Sequence, residues 1–174
     1  VGSDRGHDFQ EPLYNEFMKP KVYLETSVIS YLASRPSRDL IMAAHQQVTH
    51  EWWEKRRSKF ELVVSQLVLQ EASGGDKSAA EQRNSYVEDL SQVQVTDAVI
   101  ELAQKLLRVS AIPASEFADA VHVAAAAVHG IDYLLTWNLK HIANAVIRHR
   151  IESTCRESGY EPPVICTPEE LLEE

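Results

Sequence analysis

Three carboxylates and one carboxamide stand at the places in this sequence where chemistry could be done. Glu25 follows the run Val22-Tyr23-Leu24, and Glu71 lies in the helical stretch after Leu62-Val63-Val64-Ser65. Asp119 sits near the start of a helix rich in small residues, and Asn138 follows Tyr133-Leu134-Leu135-Thr136. Any one of them alone reads as a surface or turn residue. Brought together, the acids would repel, and one would be forced to protonate unless a cation neutralised them. An oxygen-only donor set matches a hard divalent ion, Mg²⁺ or Mn²⁺. A metal held this way can generate hydroxide and steady the charge on a scissile phosphate.

The elements needed to gather these groups are legible. Residues 21–24 read as a short strand, β-branched and aromatic with no breaker. Thr26 and Ser27 are placed to cap a helix beginning near Val28. Ser37 is expected to cap a long helix to about Lys59, with Ile41, Ala44, Val48 and Trp52 as its apolar stripe and Trp53 at the stripe's margin. Residues 62–65 form a second strand, 66–72 a helix ended by Gly74-Gly75-Asp76, and 79–90 another helix. Residues 93–96 alternate like a strand, and Asp97 is expected to cap the helix after them. Ser115 is expected to cap the small-residue helix, which runs to His129 and stops at Gly130. Residues 133–136 are a fourth strand, 144–157 a last helix and 164–166 a terminal fifth strand. This order predicts an α/β fold, a mostly parallel doubly wound sheet of about four to five strands with helices on both faces. In such a sheet ligands bind beyond the carboxyl ends of the strands, where Glu25 stands.

The whole chain has 174 residues and a formal charge of −9, a balance that argues mildly against a plain nucleic-acid binder and leaves room for an acidic, cation-holding nuclease pocket. No apolar run reaches the roughly 20 residues a membrane helix requires. Residues 1–17 are polar and acidic, and they are expected to be an N-terminal extension or expression remnant ahead of a domain spanning 18–174. Cys155 and Cys166 have neither metal-ligand nor redox spacing, which suits a reducing cytoplasm. The basic clusters Lys55-Arg56-Arg57 and Arg148-His149-Arg150 read as solvated helix faces. His122 and His141 read as ordinary surface or internally satisfied histidines.

Four segments, in order, resemble the PIN-domain family, in particular its VapC-type toxin ribonucleases. Tyr23-Leu24-Glu25-Thr26-Ser27-Val28-Ile29-Ser30-Tyr31 resembles the family's hydrophobic–Asp-Thr-Ser/Asn opening. Val64-Ser65-Gln66-Leu67-Val68-Leu69-Gln70-Glu71 resembles its second block, ending in Glu. Ala118-Asp119-Ala120-Val121-His122-Val123-Ala124-Ala125-Ala126-Ala127 resembles its Asp-Ala helix, and Leu134-Leu135-Thr136-Trp137-Asn138-Leu139-Lys140-His141-Ile142 its closing Thr-x-Asp/Asn block. The resemblance implies a single PIN-like domain and a metal-dependent endoribonuclease that hydrolyses RNA phosphodiester bonds. It implies Glu25, Glu71, Asp119 and Asn138 as catalytic and metal-binding residues, with Ser27 and Thr136 bracing the site. It also implies a small antitoxin partner and a homodimer. Two departures stand out: Glu25 replaces the usual Asp, and Asn138 replaces an acid. They motivate an alternative, a weak or inactive PIN-like module that binds RNA or a protein. A receiver-like phosphoacceptor domain would need paired acids near the first strand and an Asp closing the third, which this chain lacks.

Overall fold

The computed structural model describes residues 18–172. Five parallel strands are Lys21–Leu24 (β1), Glu61–Ser65 (β2), Ser91–Val93 (β3), Tyr133–Leu135 (β4) and Val164–Cys166 (β5). They lie in the order β3-β2-β1-β4-β5. The α-helices are Thr26–Ala33 (α1), Leu40–Lys55 (α2), Gln66–Ala72 (α3), Lys77–Val87 (α4), Asp97–Arg108 (α5), Phe117–Val128 (α6) and Ala145–Glu157 (α7).

The strand order explains the layering. The chain steps outward from β1 to β2 to β3, then crosses back to β4 and on to β5. Right-handed crossovers therefore place α1–α4 on one face and α5–α7 on the other. Contacts follow that division, α1 meeting α2, α3 and α4 while α5 meets α6 and α7. Strand β1 is central, paired to β2 and β4, and Val22, Tyr23 and Leu24 are wholly buried. The reversal of strand order falls between β1 and β4, the place where an open α/β sheet leaves a crevice.

Local chemistry differs from the sequence expectation at several helix starts. Glu25 itself caps α1, its carboxylate accepting from the Ser27 N–H, so the helix begins at Thr26. Asp39, not Ser37, caps α2 through the Met42 N–H. Thr96, not Asp97, caps α5, and α6 follows Glu116, not Ser115, with no side-chain cap. Strand β3 ends at Val93, before the alternating run expected to form it is complete.

Of the expected stripe Trp52 alone is fully buried, sharing the inner face of α2 with Gln46 and Thr49, while Ile41 is 70% exposed. The reason is polar. Gln46 Nε2 donates to Ser34 Oγ and the Arg35 carbonyl, and Gln46 Oε1 accepts from the Ser37 N–H. One amide thus ties the backbone of the α1–α2 turn to α2. Thr49 Oγ1 accepts from the Trp137 indole N–H at 2.7 Å, tying α2 to the loop after β4. Trp53 is half-buried, edge-on to Tyr86 with the Arg57 guanidinium 4.5 Å from its ring centre.

Helix α6 ends as its composition predicts. Gly130 adopts φ 61°, its N–H bonds to the Ala127 carbonyl, and the Ile131 N–H reaches back to Ala126. This paired closure requires a left-handed residue, the conformation glycine adopts at little cost. It turns the chain directly into β4. Ala120 and the run Val123 to Ala127 are buried, since small side chains let α6 lie close in the core.

Candidate metal centre

Glu25 occupies the residue after β1, and its N–H continues the ladder by bonding to the Leu135 carbonyl. The side chain is 6% exposed and takes three donors. Ser27 supplies its N–H at 3.1 Å and its hydroxyl, and Thr136 supplies its hydroxyl at 2.7 Å. Both bracing hydroxyls are themselves held. Ser27 Oγ accepts from the Trp137 N–H at 2.8 Å, and Thr136 Oγ1 from the Asn138 N–H at 2.9 Å.

Glu71 reaches the same place from the last turn of α3. Its Oε2 accepts from the Thr26 hydroxyl and lies 3.0 Å from His122 Nε2. Burial pushes this carboxyl up, but hydrogen bonds from His122 and Thr26, with the attraction of the ring, outweigh it and hold the group below the usual Glu range. Behind His122 a buried chain continues: Nδ1 lies 2.7 Å from Tyr23 Oη, which lies 2.7 Å from Ser65 Oγ. Burial first, and the charges of Glu25 and Glu71 after it, drive the Tyr23 phenol far above its ordinary range despite the Ser65 bond, so it is neutral.

Glu25, Glu71 and His122 each offer one ligand atom, and these atoms all lie within 4.8 Å of one another. The separation fits a single divalent ion, whose oxygen ligands at about 2.1 Å stand roughly 3.0 Å apart at cis positions and 4.2 Å at trans. Asp119 falls in a second group, with Glu116 and His141. His141 Nδ1 is 3.0 Å from Asp119 Oδ2 and 3.6 Å from Glu116 Oε2.

Asn138 links the two groups. Its N–H bonds to Thr136, the hydroxyl that holds Glu25, and its Oδ1 accepts from the His141 N–H at 3.0 Å. On the other side Asp119 and His122 stand three residues apart on one face of α6. Hydrogen bonds thus join Asp119, His141, Asn138, Thr136 and Glu25 in one chain, and Glu71 to His122 in another. Of the six residues singled out from the sequence, Glu25, Ser27 and Thr136 are in direct contact. Asn138 joins them through its N–H on Thr136 and Glu71 through the metal-sized group, while Asp119 lies in the second group.

Tyr23, Thr26, Glu116, His122 and His141 also stand here, none of them expected from the sequence as site residues. His122 is a satisfied histidine, as expected of it, but the group that satisfies it is Glu71. Its spacing from Asp119 on a helix otherwise built of small apolar residues was the available signal.

The PIN-domain family model matches residues 22–145. The chain belongs to the PIN-domain family. Among solved structures it is similar to Mycobacterium tuberculosis VapC20, described as a toxin that cleaves the sarcin–ricin loop. The two share 20% identity over 65% of this chain and 86% of that one, with a TM-score of 0.50. It is also similar to VapBC2 from Rickettsia felis, solved bound to a DNA fragment from its promoter. There the identity is 13% over 84% of this chain and 98% of that one, with a TM-score of 0.55. At these identities the likeness is one of fold. No curated protein matches the sequence. Among the described residues no helix is long and apolar enough to cross a membrane.

Proposed function

We propose that this PIN domain is a metal-dependent endoribonuclease, hydrolysing RNA phosphodiester bonds as the toxin of a type II toxin–antitoxin pair. The observation that carries the reading is the gathering of Glu25, Glu71 and His122 donor atoms within 4.8 Å at the β1/β4 crevice. Glu25 and Glu71 would hold a Mg²⁺ or Mn²⁺ ion, with Asp119 and Asn138 completing the acidic mouth. When bound, such an ion supplies Lewis-acid polarisation of the phosphate and activation of water. The protein's own part is positioning. Ser27 and Thr136 fix the Glu25 carboxylate, Thr26 and His122 fix Glu71, and Asn138 sets the loop that brings His141 to Asp119. Water adds to phosphorus, one P–O ester bond breaks, and the departing oxygen takes a proton.

A protein partner, a small antitoxin or a second copy, is supported by apolar side chains left in solvent at the start of α2. Leu40 and Met42 are 86% and 50% exposed beside Ile41, an unusual cluster for a helix end. A reducing cytoplasm suits Cys155 and Cys166, both free, buried and held protonated, their thiols pushed up to about 11 and about 12 by burial. The alternative, a weakly active or inactive module binding RNA or protein, draws on Asn138, which brings no charge and whose carbonyl is engaged with His141.

The test is cleavage of a structured RNA by the purified chain with Mn²⁺, with EDTA, and with Glu71→Gln plus Mn²⁺. Cleavage in the first alone supports the nuclease. RNA retention without cleavage in all three supports the alternative.

A further inference from the structure

We propose that His122 is a direct metal ligand through Nε2, making this a mixed imidazole–carboxylate site that selects a first-row transition ion such as Mn²⁺ over Mg²⁺. The inference rests on the metal-centre reading above and goes beyond it by naming a nitrogen donor and the preference that follows.

Three observations carry it. The first is position: Nε2 belongs to the same group of atoms as the Glu25 and Glu71 oxygens, 3.0 Å from Glu71 Oε2. That spacing is also the cis edge expected of an octahedral ion, roughly 3.0 Å for bonds of about 2.1 Å. The second is charge: two carboxylates gather here against one imidazole ring. Without a cation, the ring proton on Nε2 occupies the space between Glu71 and the ring, because a carboxylate can only accept.

The third is the support behind the ring. A metal-binding histidine characteristically hands its other N–H to a fixed acceptor, which sets the tautomer. His122 is 1% exposed, with Nδ1 2.7 Å from Tyr23 Oη. A hydroxyl can donate or accept. With the proton on Nε2, Tyr23 donates to Nδ1 and Ser65 donates to Tyr23. With Nε2 given to an ion, Nδ1–H donates to Tyr23 and Tyr23 donates to Ser65. The buried chain serves both tautomers without moving an atom heavier than hydrogen.

Imidazole nitrogen suits first-row transition ions, Mn²⁺ least among them, whereas Mg²⁺ prefers oxygen and parts with its water reluctantly. His122 should therefore set which ion is held, while Glu25 and Glu71 set whether one is held.

The experiment uses the full chain stripped with EDTA and reloaded with Mn²⁺ or Mg²⁺. Pulsed EPR on the Mn²⁺ form of wild type, His122→Gln and His141→Gln reads ¹⁴N coupling from a bound imidazole. Calorimetry gives both affinities. The expected result is ¹⁴N coupling in wild type and His141→Gln and none in His122→Gln. His122→Gln should weaken Mn²⁺ binding by about 10-fold or more and Mg²⁺ binding much less. Mn²⁺ binding without ¹⁴N coupling in wild type, or coupling lost only in His141→Gln, overturns the inference and leaves the metal centre standing. No Mn²⁺ binding to wild type overturns both. Should His122→Gln fail to fold, His141→Gln decides, since coupling that survives there leaves His122 as the histidine grouped with Glu25 and Glu71.

Discussion

Thr136 and Glu25 are 111 residues apart in the chain, yet the Thr136 hydroxyl donates to Glu25 Oε2 at 2.7 Å because each follows one of two paired strands. The contact needs the full length of a glutamate. Glu25→Asp restores the residue usual in the family and still caps α1 well, so folding should hold. The carboxylate retreats by about 1.5 Å, one C–C bond, and leaves Thr136 behind. Cleavage should fall on the order of 100-fold, as a misplacement of this size does. Single-turnover rates with Mn²⁺ check it, and an equal or faster variant would show that the backbone follows the shorter side chain.

Asn138→Asp should strengthen Mn²⁺ binding, because ligand charge count tunes affinity at oxygen sites. Either residue's oxygen can accept from the His141 N–H, so the loop should keep its shape. Calorimetric titration of both proteins reads the change. Equal or weaker binding by the variant would place residue 138 outside the ion's reach.

Asp119→Asn should abolish most cleavage without loosening the fold. The amide oxygen remains an acceptor for His141, and a negative charge beside Glu116 is gone. In EDTA the variant should melt at the wild-type temperature or above. Added Mn²⁺ should raise the wild-type melting point more than the variant's, since a ligand stabilises the state that binds it. A lower melt in EDTA with cleavage intact would make Asp119 a purely structural residue.

Glu71 gives the metal-free protein a predictable acid response. Its carboxyl is held below the usual range in the folded state, so folding favours the ionised form. That contribution is complete above the unfolded value of about 4.3 and vanishes as pH falls through the lowered folded value. The stability gap between wild type and Glu71→Gln should thus be largest near neutral pH and close in acid. Denaturant titrations in EDTA across that window measure it, and a gap independent of pH would contradict the assignment.

Much of this arrangement was legible from residue order. The apolar runs of β1, β2, β4 and β5 marked the sheet, and acids just beyond strand ends marked the crevice. Helix α2 was misread apart from Trp52 because polar needs elsewhere set its inner face: Gln46 serves the backbone of the α1–α2 turn and Thr49 the Trp137 indole. Glu25 escaped recognition as a cap because glutamate rarely takes that position, where shorter oxygen side chains lead. The spacing of His122 from Asp119 hinted at a site, but its partner Glu71 lies 51 residues away on a helix from the opposite layer. Apolar periodicity does not report which polar groups a fold turns inward.

Glu25 is both the cap of α1 and the most enclosed carboxylate of the candidate metal centre. Its two duties bear on how the family's descendants can diverge. A lineage released from selection for nuclease activity still needs the first helix to start, and so keeps an oxygen side chain at position 25. Asp119, whose carboxylate caps nothing, is free to drift first. Relatives that no longer cut RNA should then be recognisable by a vacant 119 beside a retained 25. Sequencing them and assaying cleavage would show whether folding preserves this acid after catalysis has been abandoned.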